Sequence, residues 1–196
     1  MQPFTQLTSP VVLLPRADVN TDDIIPAQYL KVTDKAGLAR GLFARWRYRE
    51  DGTPNPDFPL NRPEAREARI LLTGPNFGSG SSREHAVWAL MQWGFRAVLA
   101  PSFADIFYNN AVKNGLLPAQ LDEGTHAALV AWVEAHPGEA ITVDLETREI
   151  RLPDGTTFPF HIDDFSRQCL LQGLDELDFL LRHEDRIRAY EQAHHK

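Results

Sequence analysis

The chain has 196 residues, of which 43% are hydrophobic and 24% are charged, a composition that favours one compact domain over residues 1–196. It lacks an 18-residue apolar run and an N-terminal basic stretch followed by an apolar block, which favours a cytoplasmic protein without membrane contact. The net charge of −7 disfavours a nucleic-acid partner, because negative charges on the two molecules repel each other.

Three features precede residue 69. The apolar run at 11–14 predicts a short buried strand, and the polar loop at 18–26 contains several potential helix caps. The segment at 40–49 combines arginines with Trp46 and Tyr48, a composition typical of protein interfaces, and we favour an interface or structural role over nucleic-acid binding.

From residue 69 the pattern predicts alternating strands and helices. The predicted elements are a strand at 69–73, a helix at about 83–93, a strand at 96–100, a helix at about 103–114 and a strand at about 116–120. Ser102 precedes the second helix and Gly115 can end it. Such alternation implies parallel strands, and the loops after residues 73 and 100 are expected to line one crevice.

The C-terminal part departs from this alternation. A helix is predicted at 124–135, and strands at 141–145, 149–152 and 156–161 read as an antiparallel meander, so a mixed sheet with flanking helices is expected. Cys169, the single cysteine, lies in a helix-like segment at 165–172 and is expected to pack in the core. Residues 174–193 predict one amphipathic surface helix, after a domain core at about 4–175.

The segment GPNFGSGSSREHA at 74–86 is the strongest candidate for chemistry. Its glycines permit positive φ and close backbone approach, so N–H groups at the start of the following helix can converge on a carboxylate or phosphate. Ser81 and Ser82 lie close to the positive end of the helix dipole, and Arg83 can bind a carboxylate through two parallel hydrogen bonds.

A structural role explains part of the same segment. Ser81 and Glu84 have the spacing of a capping box, in which the serine oxygen accepts from the Glu84 N–H. That role does not explain Arg83, because a positive charge is unfavourable in the first turn of a helix unless an anion lies beside it. His85 is expected to be structural. Neither histidine nor cysteine spacing supports a metal site in this chain.

Several motifs together resemble a known family. The segments NTDDIIP at 20–26, GSGSSREHA at 78–86, and 102–118 occur in the order and spacing of the swivel domain of the aconitase superfamily. The resemblance to the small subunits of 3-isopropylmalate dehydratases is closer and extends from about residue 4 to about residue 190. It implies an α/β fold of the aconitase-type swivelling β/β/α kind.

The resemblance also implies an activity and a partner. Members of the family isomerise 2-isopropylmalate to 3-isopropylmalate by dehydration and rehydration in leucine biosynthesis. A separate large subunit carries a [4Fe-4S] cluster, and the small subunit needs no cofactor of its own. The family's serine base falls on Ser81 and its carboxylate contacts fall on Ser82 and Arg83, while Asp22 orients groups of the site. The Gly78 and Gly80 backbone lets the dicarboxylate substrate approach.

One departure from aconitase itself bears on the substrate. Residues 27–33 lack the N-R-K segment that grips the third carboxylate of citrate, so a branched apolar substituent is more plausible, with Leu30 beside it. Leu30 can equally serve core or lid packing. Two other functions stay open: a small subunit acting on citraconate, methylmalate or homoaconitate, and a non-catalytic anion-binding module. The substrates of the first alternative differ from isopropylmalate by a few methylene groups, and a sequence alone discriminates poorly between such substrates.

Overall fold

The computed structural model describes residues 1–31, 37–182 and 184–194. The strands are β1 Gln6–Leu14, β2 Ile70–Thr73, β3 Ala97–Ala100, β4 Leu117–Gln120, β5 Ala140–Asp144, β6 Glu149–Arg151 and β7 Thr157–Pro159. The helices are α1 Thr21–Ile24, α2 Leu38–Gly41, α3 Ala44–Arg47, α4 Glu84–Trp93, α5 Asp105–Asn114, α6 Glu123–Ala135, α7 Asp164–Gln172, α8 Glu176–Leu181 and α9 Glu184–His194. Short 3-10 helices cover Ala27–Lys31, Pro59–Asn61 and Pro63–Arg66.

The strands form one mixed sheet in the order β4-β3-β2-β1-β5-β6-β7. β1 to β4 pair in parallel, and β5 to β7 form the predicted antiparallel meander. The predicted α/β class with a mixed sheet and flanking helices is therefore confirmed.

β1 joins the two halves of the sheet and is longer than the four-residue strand predicted. Its first half, through Pro10, pairs antiparallel with β5, and its second half, from Val11, pairs parallel with β2. Pro10 is opposite Ala140 at the end of the antiparallel register, so a proline is accommodated inside the strand where its partner changes.

The core lies on both faces of the sheet. Leu71 of β2 belongs to one hydrophobic cluster and its neighbours Ile70 and Leu72 belong to another, as the alternation of side chains along a strand requires. All four residues of β2 are buried, which is typical of a central parallel strand covered by helices. Cys169 is 2% exposed and packs in the second cluster, as expected.

The C-terminal segment corrects the prediction of one helix at 174–193. A capping box between Asp175 and Asp178 starts α8, and Arg182 ends it before α9 begins at Glu184. Residue 183, inside the predicted helix, lies outside the described residues. Among the helices that the structure describes, none combines the length and apolar character needed to cross a membrane.

Candidate active site

The glycine-rich turn between β2 and α4 is positioned by two glycines. A Cβ on Gly74 would lie 2.5 Å from the Arg16 carbonyl oxygen, so only glycine lets this turn approach the loop after β1. Gly78 has a φ of +80°, and a Cβ there would lie 2.2 Å from Cγ of the Phe107 ring. Both positions therefore require glycine for packing, and Gly78 also requires it for its positive φ.

The loop after β1 runs alongside this turn and holds it. The Gly78 N–H donates to the Val19 carbonyl at 2.8 Å, and the Thr21 N–H donates to the Ser79 carbonyl at 2.8 Å. The buried Thr21 hydroxyl donates to the Ser81 carbonyl at 3.0 Å. The backbone on both sides of Gly80 is therefore tied to the start of α1.

Asp18 and Asn76 also join these two loops, and the sequence interpretation did not single them out. Both have left-handed backbones, with φ of 55° and 56°, and the Asn76 amide donates to the Asp18 carboxylate at 2.8 Å. Asparagine and aspartate are the residues other than glycine that tolerate this conformation best. Their presence in two polar loops is therefore the sequence signal that could have indicated these left-handed positions.

The loop after β3 lies on the other side of the turn. The Asn76 N–H donates to the Ser102 hydroxyl at 2.8 Å, and the Phe77 N–H donates to the Ser102 carbonyl at 3.1 Å. The two loops therefore lie together, as expected, and the crevice that they were expected to line stays a prediction. Ser102 does not cap α5, because Ala104 is the N-cap residue, whereas Gly115 ends α5 as predicted.

Arg83 and Asp22 form an ion pair at the start of α4. The Arg83 Nη1 donates to Asp22 Oδ1, and the two side chains are 18% and 37% exposed. A capping box between Asn20 and Asp23 fixes α1 and with it Asp22. The sequence predicted an anion beside Arg83, and the Asp22 carboxylate of the same chain is one such anion. The fork of five N–H donors on a guanidinium leaves capacity for a second anion.

Ser81 and Ser82 are exposed beside this ion pair. The predicted capping box of Ser81 and Glu84 is wrong, because Arg83 is the N-cap residue, with extended φ and ψ of −123° and 100°, and provides no side-chain cap. Ser81 precedes α4 by three residues and is anchored instead through its carbonyl. Among the described residues, neither serine hydroxyl has a hydrogen-bond partner, and the first amides of α4 have no side-chain acceptor.

The remaining candidates lie around this centre. Gly80 is exposed, with a φ of +89°, and a Cβ there would have Asn20 Cβ as its nearest neighbour, at 3.5 Å. His85 packs its ring on Trp88, with centroids 4.6 Å apart, which agrees with a structural role. Leu30 is partly buried and packs against the first core cluster, so its contact with substrate stays a prediction. Residues 32 and 33 of the segment compared with aconitase lie outside the described residues.

Comparisons with known proteins agree with the motifs. The family model for the aconitase C-terminal domain matches residues 1–124, and the model named LeuD_N matches residues 127–164. The 3-isopropylmalate dehydratase small subunit of Chloroflexus aurantiacus is 57% identical over 194 residues, covering 99% of this chain and 96% of the relative. The 3-isopropylmalate dehydratase small subunit of Roseiflexus castenholzii is 58% identical, and the match covers 99% of this chain and 95% of the relative.

A solved structure shows the same fold. The crystal structure of 3-isopropylmalate dehydratase (leuD) from Methanocaldococcus jannaschii has a TM-score of 0.66 and 28% identity, covering 95% of this chain and 99% of that one. The fold and the matches define an α/β domain of the aconitase C-terminal type. The chain belongs to the family of 3-isopropylmalate dehydratase small subunits.

Proposed function

We propose that this chain acts in the cytoplasm as the small subunit of a 3-isopropylmalate dehydratase and, with a large subunit, isomerises 2-isopropylmalate to 3-isopropylmalate in leucine biosynthesis. Near full-length identity to relatives of that name supports the proposal. The observation that carries the chemistry is local: two exposed serines and a paired arginine lie together at an uncapped helix start.

Ser81 is the proposed base. It removes the proton from the carbon next to a substrate carboxylate, while the hydroxyl group departs from the neighbouring carbon. The positive end of α4 and the Arg83 guanidinium favour an ionised serine oxygen at this place. They also stabilise the negative charge that develops on the substrate as the proton leaves.

Ser82 and Arg83 are the proposed contacts of a substrate carboxylate. One guanidinium edge is held by Asp22, and that ion pair orients the remaining N–H donors. The start of α4, which has no side-chain cap, supplies further donors to the same anion. The exposed Gly80 backbone, with positive φ, lets the substrate come close to the turn. Gly78, which is buried against Phe107 and donates its N–H to the Val19 carbonyl, supports the turn from below the proposed contact.

The metal chemistry of the reaction belongs to the proposed partner. Among the residues that the structure describes, no group of three or more histidine, cysteine or acidic side chains could hold a metal ion, and Cys169 is buried. These residues do not fit an iron-sulfur cluster. A [4Fe-4S] cluster in the large subunit would act as the Lewis acid on the departing hydroxyl group and a carboxylate.

The segment after α1 supports the proposed substrate class. We propose that Leu30, on the 3-10 helix Ala27–Lys31, lies beside the isopropyl group when the two subunits assemble. Apolar contact with two methyl groups favours isopropylmalate over methylmalate by about 1–3 kcal/mol.

Reconstitution tests the function. Purified chain is mixed with a purified large subunit containing iron, and turnover of 2-isopropylmalate is compared with that of methylmalate and homoaconitate. We expect turnover only in the mixture and the highest kcat/KM with 2-isopropylmalate. A higher kcat/KM with either other substrate would move the assignment to that hydro-lyase. Calorimetric binding of nucleotides, with no turnover in the mixture, would instead indicate an anion-binding module.

A further inference from the structure

A cavity of about 740 Å³ lies beside the arginine-rich segment, and Arg45 in its lining is 3.8 Å from Asp23, the residue after Asp22 of the candidate active site. Its lining includes Arg40, Arg45, Arg49, Tyr29, Tyr48 and Glu50. We call Arg40, Arg45 and Arg49 the arginine face; all three residues are exposed. The function proposed above uses none of them.

A buried arginine fixes the backbone that carries this face. Arg47 is 7% exposed, and its Nη1 donates to the carbonyls of Ala39 at 2.9 Å and Leu42 at 3.1 Å. Its guanidinium also lies 4.5 Å from the centre of the Trp93 ring. Arg47 belongs to α3, Ala39 lies in α2 and Leu42 is the C-cap residue of α2, so the helices that bear Arg40 and Arg45 are held together.

Among the residues that the structure describes, the charge of the arginine face is only partly compensated. Arg45 lies 3.8 Å from Asp23, whereas neither Arg40 nor Arg49 has an ion-pair partner among the described residues. Glu50 is the carboxylate among the residues that line the cavity. A protein of net charge −7 therefore presents a locally positive face, which attracts an acidic surface.

Helix α1 connects this face to the proposed active site. Asp22 pairs with Arg83 and the next residue, Asp23, lies beside Arg45. The cavity wall at Pro26–Tyr29 follows α1 directly. A second chain that closes over Ser81 and Arg83 would therefore reach the arginine face within the same interface.

We propose that the arginine face docks an acidic surface segment of the large subunit. The inference rests on the proposed function, because that function requires a second chain. Charge complementarity and continuity with the site favour this occupant, and arginine and tyrosine are enriched in protein interfaces. The net negative charge of the chain opposes a nucleic acid as the occupant.

Direct measurement of assembly tests the inference without reference to turnover. Affinity for the purified large subunit is measured by surface plasmon resonance, without substrate, at about 50 mM and about 300 mM salt. We expect R40E/R49E to raise Kd at least about tenfold at low salt and to flatten its salt dependence, because like charges then face each other. The matched control K113E/R151E makes the same change of net charge at exposed positions outside the cavity and should bind as the wild type does.

The outcomes separate the two proposals. Equal Kd for R40E/R49E, K113E/R151E and wild type would overturn the docking inference alone, whereas failure of the wild type to bind any large subunit would overturn the proposed function. If R40E/R49E does not fold, as judged by circular dichroism, R40Q/R49Q should still raise Kd about threefold. Arginine-dependent binding of a fluorescent oligonucleotide, with unchanged subunit affinity, would overturn the docking inference by reassigning the face to nucleic acid.

Discussion

Replacing Gly78 with alanine should destabilise the fold through two separable effects. The first is backbone strain, because φ is +80° and a left-handed conformation costs an alanine about 1 kcal/mol. The second is a clash, because the new Cβ would lie 2.2 Å from Cγ of Phe107. Overpacking of this kind costs about 1–3 kcal/mol, so we expect a total loss of about 2–4 kcal/mol.

The Phe107 ring has little freedom to move away from that methyl group. It is 2% exposed and meets Phe77 edge-on at a centroid distance of 5.1 Å. It also stacks on the Phe103 ring, with the two ring centroids 6.2 Å apart. Movement of Phe107 would therefore disturb both loops that form the candidate site, and we expect turnover to fall along with stability.

Urea unfolding followed by circular dichroism measures the loss, with Gly155→Ala as the matched control. Gly155 has a φ of +90° and no atom within 4 Å of a Cβ position, so alanine there should cost only the strain of about 1 kcal/mol. Equal losses for Gly78→Ala and Gly155→Ala would refute the packing argument. A second check is Phe107→Ala, which removes Cγ and the ring but keeps Cβ at 2.4 Å, so Gly78→Ala should become less costly in that background.

Two further predictions concern charge. Asp22→Asn should lower kcat/KM about tenfold to a hundredfold, because Arg83 loses the carboxylate that orients it. The same substitution should change the free energy of unfolding by less than about 1 kcal/mol. Asp57→Asn, at an exposed position, is the control, and equal kinetics for both variants would contradict the orienting role. Burial, and next the hydrogen bond to Asp163, raise the pKa of Tyr108 to about 12. Because this exceeds the unfolded value of about 10, the tyrosine's contribution to stability is complete below about pH 10 and is lost as the pH rises through 12. Unfolding measured across that range should depend less on pH in Tyr108→Phe, and an unchanged pH dependence would contradict the assignment.

The sequence predicted the parts of the fold that depend on repeated patterns. The alternation of apolar runs and helical spacing from residue 69 identified β2 to β4 and the helices between them, because crossover units have a regular period. The length of β1 was missed, since Pro10 is normally a reason to end a strand. The strand accommodates Pro10 because its pairing with β5 ends at that residue, and β5 is remote in sequence.

The sequence predicted which residues the candidate site contains, which stays a prediction, and it did not predict the local geometry of the turn. The spacing of Ser81 and Glu84 fits a capping box as well as it fits an active-site turn, and only tertiary contacts decide between them. Thr21, the first residue of α1, donates to the Ser81 carbonyl and keeps the serine outside the first turn of α4. The pairing of Asp22 with Arg83 likewise joins residues 61 positions apart.

Turnover of the assembled enzyme containing Ser81→Ala tests the central claim most directly. The variant is first shown to bind the large subunit as the wild type does, so that lost activity reports chemistry rather than assembly. We predict that kcat falls at least about a thousandfold, because the proposed base is gone. Ser79→Ala, which removes another hydroxyl of the same turn, should retain near-normal turnover. A kcat for Ser81→Ala within a few-fold of wild type would contradict the assignment of Ser81 as the base.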